Sequence, residues 1–344
     1  MKFYEYILII LIFSSCANIV PPTGGLKDTS PPVLLSNLNI LNNESKLEKV
    51  ILTFDENIQM HHWQNFYISP PLDNIDYKIR GKQIIINFNS NLSSEYIYWL
   101  SLSKCIKDLT EGNIISNLEF NLKENKNKIS ENIKVSVKNS FTNQFEENHW
   151  VLLYPFMTSD SSVFNSKPLY LSKTKLNGIA EFNNINGGSY KLVSISGDDY
   201  FYHEDELISF SDSLIEAGKD TLINLYCFNP LQITDTLESY TDTTSQTRGS
   251  LMLNTNISGN IIVQLINGNK VVLEEYFYNT NLLKLKNIST GVYDIRLFFD
   301  RNNNLFWDSG SFTERYQPEK MYYYPEKITI RENWDLELEW IIEE

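Results

Sequence analysis

One short segment near the C-terminal end combines carboxylate and amide side chains at a spacing that suits a hard cation. Its four oxygen-bearing residues are Asp300, Asn302, Asn304 and Asp308. They occupy positions one, three, five and nine of a twelve-residue calcium-binding loop, in which oxygen ligands surround the ion. The sixth position is Leu305 where such a loop needs Gly, and the twelfth offers a hydroxyl where the loop needs a bidentate Glu.

This segment supports two interpretations. The first is a calcium site, which is the one cofactor that the sequence suggests. The second is an Asn-rich hairpin held in place by a buried Trp307. We favour the hairpin because two carboxylates are few for a tight calcium site.

Residues suited to catalysis are scarce. The four histidines are His61, His62, His149 and His203. Serine-hydrolase, zinc-protease and P-loop motifs do not occur, and no Cys and His residues have metal-ligand spacing. The adjacent carboxylates Asp55 and Glu56 would point to opposite faces of a strand, so a shared substrate is not expected. We predict that the protein is not an enzyme.

The N-terminal residues are typical of an export signal. A basic Lys2 precedes the apolar run Tyr6–Phe13, and Ser14 and Ser15 lead directly to Cys16. Because a membrane-spanning helix needs roughly 20 apolar residues, this run is too short to remain as an anchor. The pattern predicts a removable signal peptide over residues 1–15.

The small residues before Cys16 resemble the lipobox of bacterial lipoproteins, although Phe13 stands where the family usually has Leu. The resemblance implies cleavage before Cys16 and lipid on its thiol and new amino group, which would hold the chain on a membrane. An ordinary secretory peptide is the alternative. Residues 16–29 are rich in Pro, Gly and Thr and read as an extended tether. Since residues 17–25 contain no acid, we expect an outer-membrane anchor that faces the periplasm, with surface exposure as the alternative.

Charge and cysteine content restrict the partners. The chain has 43 acidic and 29 basic residues and a net charge of −14, so binding to nucleic acid is not expected. Apart from Cys16, the cysteines are Cys105 and Cys227, which fall in different predicted domains. We expect both to be small buried hydrophobic residues, with a disulfide between them as the alternative.

Short alternating apolar runs separated by turn residues predict an all-β chain of tandem β-sandwich domains. The clearest predicted strands are 50–54, 83–88, 134–137, 150–154, 190–195, 261–265 and 293–299. Helical periodicity is absent over any long stretch. Strands of this composition and spacing are typical of sandwiches.

Residues 30–123 form the first predicted domain. The lead Asp28–Val33, the strand and turn Val50–Ile58, the run Tyr98–Leu102 and the segment Ile106–Asn113 resemble the bacterial Ig-like domain first named for S-layer proteins. The resemblance covers about a quarter of the chain. It implies an Ig-like sandwich and no chemistry of its own.

Two further domains are linked by an internal repeat. The phrase Asn184–Leu192 matches Asn287–Ile295 at its Asn, Ile, Gly and Tyr positions. With its lead from Gly178, the phrase resembles the carboxypeptidase-regulatory or transthyretin-like β-sandwich, which implies a non-catalytic module. We predict such a domain over residues 130–229, a polar linker over 230–248 and a C-terminal β-domain over 249–344.

The C-terminal phrases complete the resemblance. The 300–310 segment, the run 317–320 and the run 334–340 are similar to an uncharacterised group of envelope lipoproteins. In the last run, alternation predicts that Trp334 and Trp340 share one buried face. We predict a lipid-anchored envelope protein with a structural, spacer or protein-binding role. The alternatives are carbohydrate binding through exposed rings such as Tyr322–Tyr324, and calcium-dependent adhesion or assembly.

Overall fold

The computed structural model describes residues 25, 27–41, 47–89, 92–122, 130–219, 221–231, 247–268 and 270–343. The predicted signal peptide, Cys16 and most of the predicted tether and linker lie outside these residues. Helix in the described part is limited to two short 3-10 segments, Trp63–Asn65 and Asp160–Phe164. No helix there is long and apolar enough to cross a membrane. The predicted all-β fold of tandem β-sandwiches is confirmed.

The first group of strands, called the first module, packs three sheets around one core. A four-stranded antiparallel sheet has the order β1-β2-β6-β5, and the smaller sheets pair β3 with β8 and join β4-β7-β9. Fully buried Phe54, Leu100 and Ile106 lie in the core between them. The strands are β1 (Leu34–Leu41), β2 (Leu47–Phe54), β3 (Ile58–Met60), β4 (Tyr67–Ser69), β5 (Ile75–Arg80), β6 (Gln83–Phe88), β7 (Trp99–Ser101), β8 (Ile106–Asp108) and β9 (Glu119–Asn121).

The second module consists of two sheets that face each other. One has the order β13-β10-β17 and the other the order β12-β11-β14-β15, with β16 paired to β14. Val135, Val151 and Leu192 lie in the core between the sheets. The strands are β10 (Glu131–Asn139), β11 (Trp150–Pro155), β12 (Tyr170–Lys173), β13 (Ile179–Ile185), β14 (Ser189–Ile195), β15 (Ile208–Phe210), β16 (Ile215–Glu216) and β17 (Leu222–Cys227).

The third module is built on a long bent hairpin. The register of its two strands shifts between Asn254 and Gly259, so that the halves on either side pair with different neighbours. Leu251 from one half and Val263 from the other share a single core. The strands are β18 (Arg248–Asn267), β19 (Lys270–Ser289), β20 (Gly291–Phe299), β21 (Met321–Tyr323), β22 (Ile328–Ile330) and β23 (Asp335–Trp340).

The internal repeat has the same structure in both modules. Tyr190 and Tyr293 are buried, and each hydroxyl donates a hydrogen bond to the backbone oxygen four residues earlier, at 2.7 Å and 2.8 Å. Asn184 and Asn287 both have positive φ, near +60°. In both modules, moreover, the first strand pairs in parallel with the last, β10 with β17 and β18 with β23. The two modules therefore share one topology.

Two side-chain predictions have different outcomes. Cys105 and Cys227 are both free and fully buried, as expected for small hydrophobic residues. The prediction for Trp334 is wrong, since its side chain is 57% exposed whereas that of Trp340 is buried. Trp334 lies in the turn before β23, where the alternation of a strand does not apply.

Candidate functional site at the joints between the modules

The loop that follows β20 is closed by the buried carboxylate of Asp300. Its two oxygens accept hydrogen bonds from the backbone N–H groups of Asn304 and Leu305, at 3.2 Å and 3.0 Å. Leu305 has a φ of +67°, which is the left-handed conformation that favours glycine. Leu305, the sixth residue of the loop, thus has the backbone conformation that a calcium-binding loop needs at this position. A leucine adopts this conformation only with strain.

Asp308 holds the other two predicted ligands through their amide groups. Nδ2 of Asn302 donates to Asp308 at 2.7 Å, and Nδ2 of Asn304 donates to it at 3.0 Å. The amide nitrogens, rather than the amide oxygens, therefore face this carboxylate. The structure brings all four predicted residues into one loop. For these residues to bind a calcium ion, the side-chain amides of Asn302 and Asn304 would have to flip so that their oxygens face the ion.

A further carboxylate, which the sequence did not suggest, lies behind the loop. Glu319 is buried, and its oxygens accept hydrogen bonds from the N–H groups of Arg301 and Asp308, at 2.8 Å and 3.3 Å. Burial, with a smaller contribution from the nearby Asp308 and Asp300 carboxylates, outweighs these two hydrogen bonds and raises the pKa of Glu319 to about 7. The loop thus contains one acid that titrates near neutral pH.

Trp307 connects this loop to the second module. Its Nε1 donates to the backbone oxygen of Glu319 at 2.6 Å, and its ring meets that of Phe141 edge-on with centroids 5.0 Å apart. Phe141 follows β10 in the second module, and its backbone oxygen accepts a hydrogen bond from the hydroxyl of Tyr323. The segment that resembles a ligand-binding loop is therefore a contact between modules.

The rest of the segment continues the same interface. Phe312 is buried against Phe210 of the second module, with ring centroids 5.5 Å apart. Nε2 of Gln317 donates to the backbone oxygen of Phe210 at 3.0 Å, and the guanidinium of Arg315 lies 4.3 Å from the centre of the Phe210 ring. The segment between β20 and β21 thus packs against the second module and attaches the third module to it.

Phe210 lies on β15, at one edge of the β12-β11-β14-β15 sheet of the second module. The first module contacts this sheet toward its other edge, at β11 and β12. The ring of Tyr67 meets that of Trp150 edge-on at 5.6 Å, and the N–H of Leu171 donates to Oγ of Ser69 at 3.1 Å. Tyr67, Trp150 and Phe312 belong to one hydrophobic cluster. This cluster, which we call the shared core, has members from all three modules.

A cleft of about 300 Å³ opens beside the joint between the first and second modules. The ion pairs Lys104–Glu147 and Lys175–Glu119 connect the modules across it. Lys173, on the same lining, points its Nζ at the Trp150 ring, 4.2 Å from the centroid. Burial lowers the pKa of Lys173 to about 8.

Two acidic residues of the first module, Asp55 and Asp108, have structural roles. Oδ1 of Asp55 accepts a hydrogen bond from the N–H of Val33. Asp108 is buried near Glu56, and its carboxylate accepts hydrogen bonds from four backbone N–H groups, those of Thr110, Glu111, Gly112 and Asn113. Burial alone would raise the pKa of Asp108, but these four hydrogen bonds together lower it. Asp108 thus closes a turn.

The tyrosines considered for carbohydrate binding are half-buried. Tyr322 and Tyr324 meet Phe299 and Trp340 edge-on, with ring centroids 5.8 Å and 5.5 Å apart. Tyr323 is held by its hydrogen bond to the second module. Their rings therefore contribute to packing and to the joint.

The structure also brings together three residues that sequence spacing did not connect. Glu146, His149 and Cys227 place one potential ligand atom each within 4.8 Å of the others. Cys227 lies far from the other two in sequence and reaches them because β17 pairs in parallel with β10. No signal in the sequence alone reports such a pairing.

Comparisons with known proteins give no family. No protein-family model matches the sequence, and no curated protein matches it significantly. Similar solved structures include GBS52, the minor pilin of Streptococcus agalactiae, at 12% identity and a TM-score of 0.21 over 62% of this chain and 95% of that one. The Bacillus anthracis TIE protein gives 13% identity and a TM-score of 0.20 over 93% and 58% of the two chains. Fervidolysin from Fervidobacterium pennivorans gives 12% and 0.23 over 58% and 29%. These scores are too low to support an argument about function.

Proposed function

We propose that this chain is a lipid-anchored envelope protein whose β-modules form a stiff, non-catalytic arm that supports or binds other envelope proteins. The observation that carries the proposal is the shared core. Tyr67 from the first module and Phe312 from the third are both buried, on the same sheet of the second module. Because modules joined by buried aromatic contacts cannot reorient without exposing them, the three move together.

The anchor rests on the sequence. The apolar run before Cys16 and the Pro- and Gly-rich stretch after it support a lipid anchor and a tether that carries the arm away from the membrane. The Cys16→Ala variant should appear in the soluble fraction of lysed cells. If that variant stays in the membrane fraction after a salt wash, the anchor is not on Cys16.

Stiffness can be measured separately from anchoring. Spin labels at exposed Leu176 and Tyr278, introduced as Leu176→Cys and Tyr278→Cys in the Cys16→Ala chain, report the distance between the second and third modules. We expect one narrow distance distribution, which Phe312→Ala should broaden. Phe306→Ala is the matched control, because Phe306 lies on the same loop and is 64% exposed. A broad distribution in the unsubstituted arm contradicts a stiff arm.

The partner is the third element of the proposal. Crosslinking in intact cells, followed by identification of the attached proteins, should recover a reproducible envelope protein. Glycan-array binding abolished by Tyr323→Ala would instead support the carbohydrate alternative. Protease treatment of intact cells tests the orientation: we expect protection, as for an arm that faces the periplasm, whereas digestion without lysis means surface exposure.

A further inference from the structure

A buried polar cluster lies at one end of the core of the second module. Cys227 is the last residue of β17 and pairs with Asn139, the last residue of β10. Glu146 follows in the loop after β10, where its N–H donates to the backbone oxygen of Val137 at 3.0 Å. His149 directly precedes β11. A carboxylate, an imidazole and a thiol are thereby brought to one place by the loop and the parallel pairing.

The imidazole of His149 is buried without a hydrogen-bond partner. The residue is 4% exposed, and its Nδ1 has no partner among the described residues. Its Nε2 points at Oε2 of Glu146 but remains 3.7 Å away, which is too far for a hydrogen bond. The gap between Nε2 and Oε2, rather than the unpaired Nδ1, is the place where a further group fits between these two side chains.

The separation of these atoms suits a metal ion. Two ligands at about 2.0–2.1 Å from a tetrahedral zinc ion lie roughly 3.3 Å apart, close to the distance between Nε2 and Oε2. Sγ of Cys227 lies within 4.8 Å of one ring nitrogen of His149 and one carboxylate oxygen of Glu146, and a shift of roughly 1 Å brings it to the longer zinc–sulfur distance. We propose that Glu146, His149 and Cys227 bind a divalent transition-metal ion of the zinc type.

Charge and support are consistent with such a site. A thiolate and a carboxylate together balance the two positive charges of the ion, so the loaded site is neutral inside the core. Nδ2 of Asn139 donates to Oε1 of Glu146 at 2.9 Å, which leaves Oε2 free to face His149. The side chain of Glu146 is 24% exposed and provides a route from solvent. The remaining coordination position can be filled by water.

Binding exchanges a proton for the ion. Burial lowers the pKa of His149 to about 4, so the ring is neutral at pH 7 and has a lone pair to donate. Burial also raises the pKa of the Cys227 thiol well above its ordinary value. The S–H bond breaks, a metal–sulfur bond forms, and one proton is released to solvent for each ion bound.

Cobalt(II), which replaces zinc and absorbs light when a thiolate binds it, gives a direct test. The full chain is used with Cys16→Ala, so that Cys105 and Cys227 are its remaining thiols. We expect one cobalt ion per chain, a thiolate-to-cobalt absorption band in the near ultraviolet, and loss of the band on adding zinc. The band should persist in Cys105→Ser, the matched buried-cysteine control, and disappear in Cys227→Ser.

Glu146→Gln provides a second variant that leaves the core intact, because Glu146 is half-buried. It should weaken zinc binding at least tenfold in competition with a chromophoric chelator. Circular dichroism and thermal melts in EDTA establish that each variant is folded. No absorption band in the parent chain, or a band that survives in folded Cys227→Ser, overturns the proposal, as does unchanged affinity in Glu146→Gln.

Discussion

Replacing Lys173 by Met removes a charge from the joint between the first and second modules and keeps a side chain of similar length. Lys173 ends β12, and burial lowers its pKa from 10.5 to about 8. An amine whose pKa is lowered in the folded state destabilises that state while it is protonated. The destabilisation of the folded state by charged Lys173 is therefore complete below pH 8 and disappears as the pH rises through 10.5.

The size of the effect follows from two opposing contributions. A shift of about 2.5 pKa units corresponds to roughly 3 kcal/mol at pH 7 and to about 1.4 kcal/mol at pH 9.5. The Trp150 ring, 4.2 Å from Nζ, favours the charged amine and offsets about 1 kcal/mol of this. We expect Lys173→Met to be about 2 kcal/mol more stable than the parent at pH 7, with less than half of that gain at pH 9.5.

Urea unfolding at both pH values measures the difference, and Lys175→Met is the control of opposite sign. Burial lowers the pKa of Lys175, but Glu119 and Glu181 outweigh burial and raise it. Because the Lys175 side chain is 43% exposed, losing these ion pairs should cost at most about 1 kcal/mol. If Lys173→Met is less stable than the parent at pH 7, attraction to the Trp150 ring outweighs burial and the reasoning fails.

Four other predictions test the loop and the repeat. Leu305→Gly should stabilise the chain by about 0.5–1 kcal/mol in urea unfolding, because glycine adopts the left-handed φ without strain, whereas Leu305→Ala should give no such gain. Tyr190→Phe and Tyr293→Phe should each cost about 1 kcal/mol, and clearly unequal costs would contradict their equivalence. The raised pKa of Glu319 predicts that the stability of the fold falls as the pH rises from 4.5 to 7. In thermal melts, Glu319→Gln should reduce this dependence of the melting temperature on pH. If the dependence is unchanged, it arises from other groups. Millimolar calcium should raise the melting temperature of the parent but not of Asp308→Asn if the loop binds calcium, and no shift in the parent ends that prediction.

The strands could be predicted from the sequence because their signal is local. Alternation and β-branched composition identify β6 over Gln83–Phe88 with its observed bounds. The repeat likewise predicts that Tyr190 and Tyr293 have equivalent roles, since both follow the same turn chemistry. Such features depend on residues within a few positions of each other.

The joints and the polar cluster could not be predicted in this way, because they depend on which strands become neighbours. Trp307 was expected to be buried, but nothing near it in sequence indicates that its partner is Phe141 of another module. Cys227 meets His149 through a parallel pairing whose connection spans most of a module. Contacts of this kind are set by topology, on which local propensity has no bearing.

One sequence feature does indicate the contacts between the modules, because it predicts burial as well as a strand. The run Trp150–Tyr154 is apolar at every position, whereas a strand with one solvent-facing side alternates. All five side chains are buried, because Val151 and Leu153 face the core of their own module while the other three face the shared core. An unbroken apolar strand in a chain of small sandwiches therefore indicates a covered outer face. In this protein the residues that cover the outer face include Tyr67 and Phe312, one from each neighbouring module. The composition of β11 therefore indicates that the modules pack together.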